Sequence, residues 1–253
     1  MRATTTTIML LGTLLFTAWA EAAEVKVLSA GAVRAVVTDV SDVFAKETGH
    51  SVKGTFGTVG VVRGKLTAGE PADVVIATDV AIDEMAKQGL VVAGTRTDIA
   101  RAGVGVGVRE GAPRPDIATP EAFKQTLLAA KSIVDVDPAQ GATSGIHFAS
   151  VLEHLGIADQ VKGKSILWPG GCAAEAVVKE QAALVVHQIS EILPVKGVTL
   201  VGPLPRELQK VTIYSAELAA NAAAPEAARA FIGFLTSAPI KAKFVAAGLD
   251  YRE

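Results

Sequence analysis

Two histidines, one arginine and a few hydroxyl-bearing loops carry the residues best suited to chemistry here. His147 follows the run Gly141-Ala142-Thr143-Ser144-Gly145, and His187-Gln188 closes the apolar run 182–186. An imidazole titrates near neutral pH, so either ring suits a hydrogen bond to a bound carboxylate or the movement of a proton. Arg63 lies about one turn inside a helical stretch and offers the two-pronged guanidinium that fits a carboxylate. Arg34 holds the matching place in the first helix and reads as a solvated surface residue. The other polar groups sit on short turns: Ser29-Ala30-Gly31-Ala32, Gly57-Thr58-Val59-Gly60, Thr78-Asp79 and the 141–145 loop.

Other chemistries find little support. His50, beside a turn, and His154, on a helix surface, read as facing solvent. No pair of histidines shares a ligand-like spacing with carboxylates or with Cys172, so no metal and no cofactor is expected. Cys172, in Pro169-Gly170-Gly171-Cys172, reads as a small, partly buried residue without a sequence sign of activation. The glycine-spaced run 103–108 leads into Arg109-Glu110-Gly111-Ala112-Pro113 rather than a helix, which sets aside a dinucleotide fingerprint. Nucleophile elbow and phosphate loop are both missing from the sequence.

The elements that must position these residues alternate. Residues 25–30 form a β-rich run, and Val33, Val36, Val37, Val40, Val43 and Phe44 follow at helical spacing up to Gly49. Extended character resumes over 51–56, a helix runs from the 57–60 turn to Leu66, and 72–77 reads as a buried strand leading into a helix that ends near Gly89. Thr119-Pro120-Glu121 opens a further helix with a cap and a first-turn proline. A strand over 132–137, a helix over 146–155, a strand over 182–186, extended runs from 197 to 214 and a helix over 225–235 complete the reading. Strands alternating with helices argue for mixed or parallel sheets covered on both faces. In such sheets, ligands lie beyond the carboxyl ends of strands, where helix N-termini favour anions.

The 253 residues carry a net charge of −2 without a basic run, so a nucleic-acid footprint is not expected. Arg2, the apolar stretch 8–18 and the small residues Ala18, Ala20, Ala22 and Ala23 read as a secretory signal over 1–23, cleaved after Ala20 or Ala22. The stretch is shorter than the ~20 residues a spanning helix needs, so stable membrane insertion is not expected. A single cysteine means the exported fold rests on its core.

Phe44-Ala45-Lys46-Glu47-Thr48-Gly49, the block 65–79 with Gly69-Glu70-Pro71-Ala72-Asp73, Asp137-Pro138 with its Gly-Thr-Ser loop, and Phe231-Ile232-Gly233-Phe234-Leu235 with Ala247-Gly248-Leu249 resemble the periplasmic molybdate-binding protein family. That family lies within the type II periplasmic binding proteins. The resemblance implies two α/β lobes, 24–102 with 205–253 and 103–204, joined by crossover strands around a ligand cleft. It also implies a periplasmic location, a small anionic ligand and an ABC transporter permease as partner. Carried over, the two serines that hold the oxyanion fall on Ala32 and Val59, and the tyrosine of the second lobe falls near His187. With three ligand side chains changed, a small organic carboxylate takes precedence over molybdate or tungstate. The expected ligand-binding set is Gly31, Ala32, Thr58, Val59, Arg63, Thr143, Ser144, His187 and Gln188. Periplasmic aconitate isomerase is similar in fold to molybdate-binding proteins. The alternative that follows is an isomerase with Arg63 as grip and His147 or His187 as the base that shifts a proton across an allylic system.

Overall fold

The computed structural model describes residues 22–251. The signal segment expected over 1–23 lies outside the described residues except for its last two positions. The chain runs through β1 (Glu24–Ala30), a 3-10 turn (Gly31–Val33), α1 (Arg34–Thr48), β2 (Ser51–Gly57), α2 (Val59–Thr67), β3 (Val74–Thr78), α3 (Asp79–Lys87) and β4 (Thr97–Ala102). It continues with β5 (Val104–Arg109), α4 (Pro120–Ala129), β6 (Ile133–Val136), α5 (Thr143–His154), α6 (Ala158–Lys162), β7 (Ser165–Trp168), α7 (Glu175–Val178), β8 (Leu184–Gln188), α8 (Ile189–Ile192) and β9 (Val198–Pro203). Then come β10 (Thr212–Leu218), α9 (Pro225–Leu235) and α10 (Ala238–Ala246).

These strands make two five-stranded sheets, ordered β2-β1-β3-β10-β4 and β7-β6-β8-β5-β9. In the first, β1 pairs in parallel with β2 and β3, while β10 enters antiparallel between β3 and β4. In the second, β6 is parallel to β7 and β8, and β5 is antiparallel to β8 and β9. Two mixed sheets flanked by helices give the two-lobed α/β architecture. The chain passes from one sheet to the other at Gly103 and returns between Pro203 and Thr212.

Continuous apolar runs arise because both faces of each sheet are covered. Val74 and Ile76 of β3 pack with Phe44 of α1 and Phe231 of α9, whose rings meet edge-on at 5.1 Å. Their neighbours Val75 and Ala77 face the opposite way, onto Val62, Ile82 and Met85 of α2 and α3. In the second sheet, Ile133 packs with Phe123 and Phe148, whereas Val134 and Val136 meet the small residues Ala173, Ala174 and Ala176.

Two motifs turn out to be architectural. Asp73, at the end of the Gly-x-Pro-Ala-Asp block, is buried, and its carboxylate accepts the amides of Lys26 (2.8 Å) and Ala224 (2.9 Å), tying β1 to the segment before α9. In the glycine-spaced strand β5, a Cβ on Gly105 would lie 2.8 Å from Ile189 and one on Gly107 would lie 2.9 Å from Ile192. These glycines let α8 lie directly across the strand. They thereby seat Glu191, carried by α8, at the edge of the cleft.

The sequence reading missed β4, β7, the short helices α6, α7 and α8, and the last helix α10. It also placed the start of α5 at 146, whereas the helix begins at Thr143. His50 is tied down rather than free in solvent, with its Nδ1 accepting the amide of Ala23 at 3.1 Å. His154 is exposed, as expected.

Candidate functional site

The carboxyl ends of β1, β2, β6 and β8 meet between the lobes around a narrow void of about 30 Å³ that opens to solvent. The first lobe contributes Gly31, Ala32, Arg34, Thr58, Val59 and Tyr214; the second contributes Thr143, Ser144, Gly171, His187, Gln188 and Glu191. Residues opening three helical stretches line it: the 3-10 turn leading into α1, the start of α2 and the start of α5. Helix N-termini carry unsatisfied amides and partial positive charge, so this convergence favours an anion.

Eight of the nine expected ligand residues line this void. Arg63 does not. Its Nη1 faces Glu84 at 3.5 Å in an exposed pair, and it lines a neighbouring hollow between α2, α3 and α5. Arg34, exposed as the sequence suggested, lines the void instead. Its guanidinium carbon lies 5.1 Å from the centre of the Phe56 ring, so an aromatic face supports the cation at the cavity wall. His147 is also turned away, with its Nε2 at 2.8 Å from the carbonyl of Leu208. Burial lowers its pKa, which favours the neutral ring.

His187 sits where sequence reasoning put it, with only 4% of its side chain exposed. Its Nδ1 is 2.9 Å from Ser144 Oγ, and its Nε2 lies 3.4 Å from the Gly171 carbonyl and 3.6 Å from Glu191 Oε1. With two acceptors facing Nε2, that nitrogen carries hydrogen, and the Ser144 hydroxyl donates to Nδ1. Ser144 is then engaged by the histidine rather than free for a ligand. Only a doubly protonated ring, donating from Nδ1 to Ser144, releases the serine hydrogen toward the cavity.

Two further groups escaped the sequence reading. Glu191 follows His187 by one helical turn, and its side chain is 14% exposed. Burial raises the pKa of its carboxyl, an effect opposed by His187 and Arg34. Tyr214, on the strand returning to the first lobe, is buried and receives a hydrogen bond from Gln188 Nε2 at 3.3 Å. Burial pushes its phenol far above the usual range, an effect that Thr143 and Gln188 oppose, so it stays neutral. Gln188 Oε1 is buried without a partner, an acceptor left at the cavity wall.

The lobes touch beside the void. Thr58 Oγ1 donates to the Gln140 carbonyl while accepting the Val61 amide, and the Gly60 amide donates to the Gly141 carbonyl at 3.3 Å. Thr58 therefore fastens one lobe to the other, its hydrogen already committed. A Cβ on Gly60 would lie 2.5 Å from Gln140 O, so any side chain there pushes the lobes apart. Gly60→Val is expected to cost about 1–3 kcal/mol of ligand affinity, the range for overpacking a tight contact. Calorimetry reads that loss, and small-angle scattering reads the larger radius of the opened form.

Residues 25–250 match the family model described as bacterial extracellular solute-binding protein. The chain belongs to this family. Aconitate isomerase from a Pseudomonas species is 32% identical over 217 residues, 83% of this chain and 81% of that protein. In three dimensions the chain is similar to the periplasmic molybdate-binding protein of Azotobacter vinelandii, with a TM-score of 0.77, 21% identity, and coverage of 90% of this chain and all of that one. It is also similar to a sulfate-binding protein of Mycobacterium tuberculosis, with a TM-score of 0.73, 18% identity, and coverage of 90% and 86%. At these identities the two structures speak for the fold alone. Among the described residues, no helix is long and apolar enough to cross a membrane.

Proposed function

We propose that this is a periplasmic binding protein that holds a small organic carboxylate between lobes 24–102 with 205–253 and 103–204 and delivers it to an ABC transporter permease. The observation that carries this reading is Arg34, a cation stacked on Phe56 at the wall of a void lined by helix N-termini. A planar guanidinium favours a planar carboxylate, which it meets with two parallel hydrogen bonds. Tetrahedral oxyanions fit less well. The serines expected of a molybdate site are Ala32 and Val59, and the wall carries the acceptors Glu191 and Gln188 Oε1.

A second reading, isomerisation of a tricarboxylate of the aconitate type, draws on the 32% identical Pseudomonas enzyme and on the His187–Glu191 pair at the cavity wall. A 1,3-proton shift needs a grip for carboxylates and a group that takes a proton from one allylic carbon and returns it to the other. Arg34 supplies the grip in this reading, and His187 acts as base through Ser144, whose hydroxyl passes its hydrogen to Nδ1 as its oxygen takes the allylic proton, since His147 is turned away from the void.

A thermal-shift panel of molybdate, tungstate, sulfate, succinate, citrate and trans-aconitate tests the first reading. Stabilisation by a carboxylate is expected, about 2.7 kcal/mol at a ligand concentration a hundred times Kd. Response to molybdate or sulfate alone would overturn it. Proton NMR of each hit incubated with protein then separates the two readings: an unchanged spectrum marks a carrier, and appearance of the cis isomer from trans-aconitate marks an enzyme.

A further inference from the structure

Resting on the carboxylate reading above, we infer that Glu191 is a ligand-binding residue that takes up a proton when the cleft fills and meets the bound carboxylate as a neutral acid. The geometry leaves it little alternative. A Cβ built on Gly31 would lie 2.7 Å from Glu191 Oε1, so the carboxyl is pressed against the backbone that opens the turn into α1. That turn is one of the helix entrances expected to hold the anion, and Glu191 and Arg34 line the same small void. An ionised Glu191 beside a bound carboxylate places two like charges in one small site, which favours a proton on one of the two. Glu191 is placed to be that one, because burial already favours its neutral form.

Charged and titratable groups approach Glu191 from several elements. Arg34 comes from α1 and His187 from β8, both favouring the carboxylate. Tyr214 on β10 stays neutral, and the Cys172 thiol, pushed up mainly by burial, senses Glu191, Arg34 and Glu175. The arriving ligand engages Arg34 and so draws away the permanent cation that favours ionised Glu191. The proton on Glu191 then serves as a donor to the ligand. The complex holds one more proton than its separated parts, so above the range where the ligand's own carboxyls titrate, affinity falls as pH rises, by up to about tenfold per unit.

The test is isothermal titration of trans-aconitate, whose carboxyls are all ionised near neutrality, at about pH 8 in two buffers of different ionisation heat. The buffer-dependent part of the heat counts protons. Wild type should take up close to one proton per ligand bound, while Glu191→Gln should take up almost none and lose most of the pH dependence of affinity. An unchanged unliganded melting temperature confirms that the variant folds, and the wild-type proton count needs no variant. Binding without proton uptake in wild type would overturn the inference, as would uptake persisting in Glu191→Gln, which would place the proton on His187. Failure of any carboxylate to bind would overturn the parent reading, and this one with it.

Discussion

Replacing Arg34 with alanine is expected to weaken carboxylate binding by about 10- to 100-fold, the equivalent of about 1.5–3 kcal/mol for a charged hydrogen-bonding group. In the proposed site Arg34 and the helix entrances would hold the same end of the ligand, and amides alone do not reproduce a two-pronged contact. Arg34→Lys should recover only part of the loss, because a point charge lacks the fork and the planar face that rests on Phe56. Arg63→Ala is the matched control. Its exposed pair with Glu84 is of the kind worth under about 1 kcal/mol, and its position outside the void predicts nearly unchanged affinity. Titration calorimetry of the three variants reads this contrast. Equal losses for Arg34→Ala and Arg63→Ala would mean that the ligand reaches into the outer hollow.

The largest expected loss of stability is at Gly145. A Cβ there would sit 1.8 Å from the carbonyl oxygen of Val136 and 2.9 Å from its carbon. Those are backbone atoms at the end of a buried strand, so no side chain can rotate aside. Gly145→Ala is expected to cost about 3 kcal/mol or more. That corresponds to a fall in Tm of roughly 6–12 °C, at about 2–4 °C per kcal/mol for a chain of this size. The close approach also matters for function, since it brings the start of α5, with Thr143 and Ser144, against the end of β6 at the cleft. Gly163→Ala, where nothing lies within 4 Å of the added methyl, should leave Tm nearly unchanged.

Much of the site was legible because its residues sit where strands end. Thr58, Thr143, Ser144, His187 and Gln188 each follow a recognisable extended run, and the strand-end rule for α/β sheets gathers them into one place. What those residues do was less legible. Thr58 and Ser144 look like free hydroxyls in sequence, yet one hydrogen is spent on Gln140 across the cleft and the other on His187. The choice between Arg34 and Arg63 depended on Phe56, more than twenty positions from Arg34 in the chain, whose ring supports one guanidinium and not the other. Glu191 left a faint trace, four residues after His187, but a helix as short as α8 has too few positions to show a periodicity. Tyr214 left none, because it reaches the cleft on the strand that returns from the second lobe. The Gly-x-Pro-Ala-Asp block carried the family resemblance while serving the frame: Asp73 fastens two backbone amides and stands outside the cleft.

The most direct test of a carboxylate site at Arg34 is a crystal structure of the mature chain grown with trans-aconitate. The account predicts a carboxylate of the ligand paired with the Arg34 guanidinium, between the entrances of α1, α2 and α5, with Glu191 and His187 against it and the lobes closed over Gly60 and Gly141. A ligand bound in the hollow beside Arg63, or an empty cleft that fills only with molybdate, would contradict it.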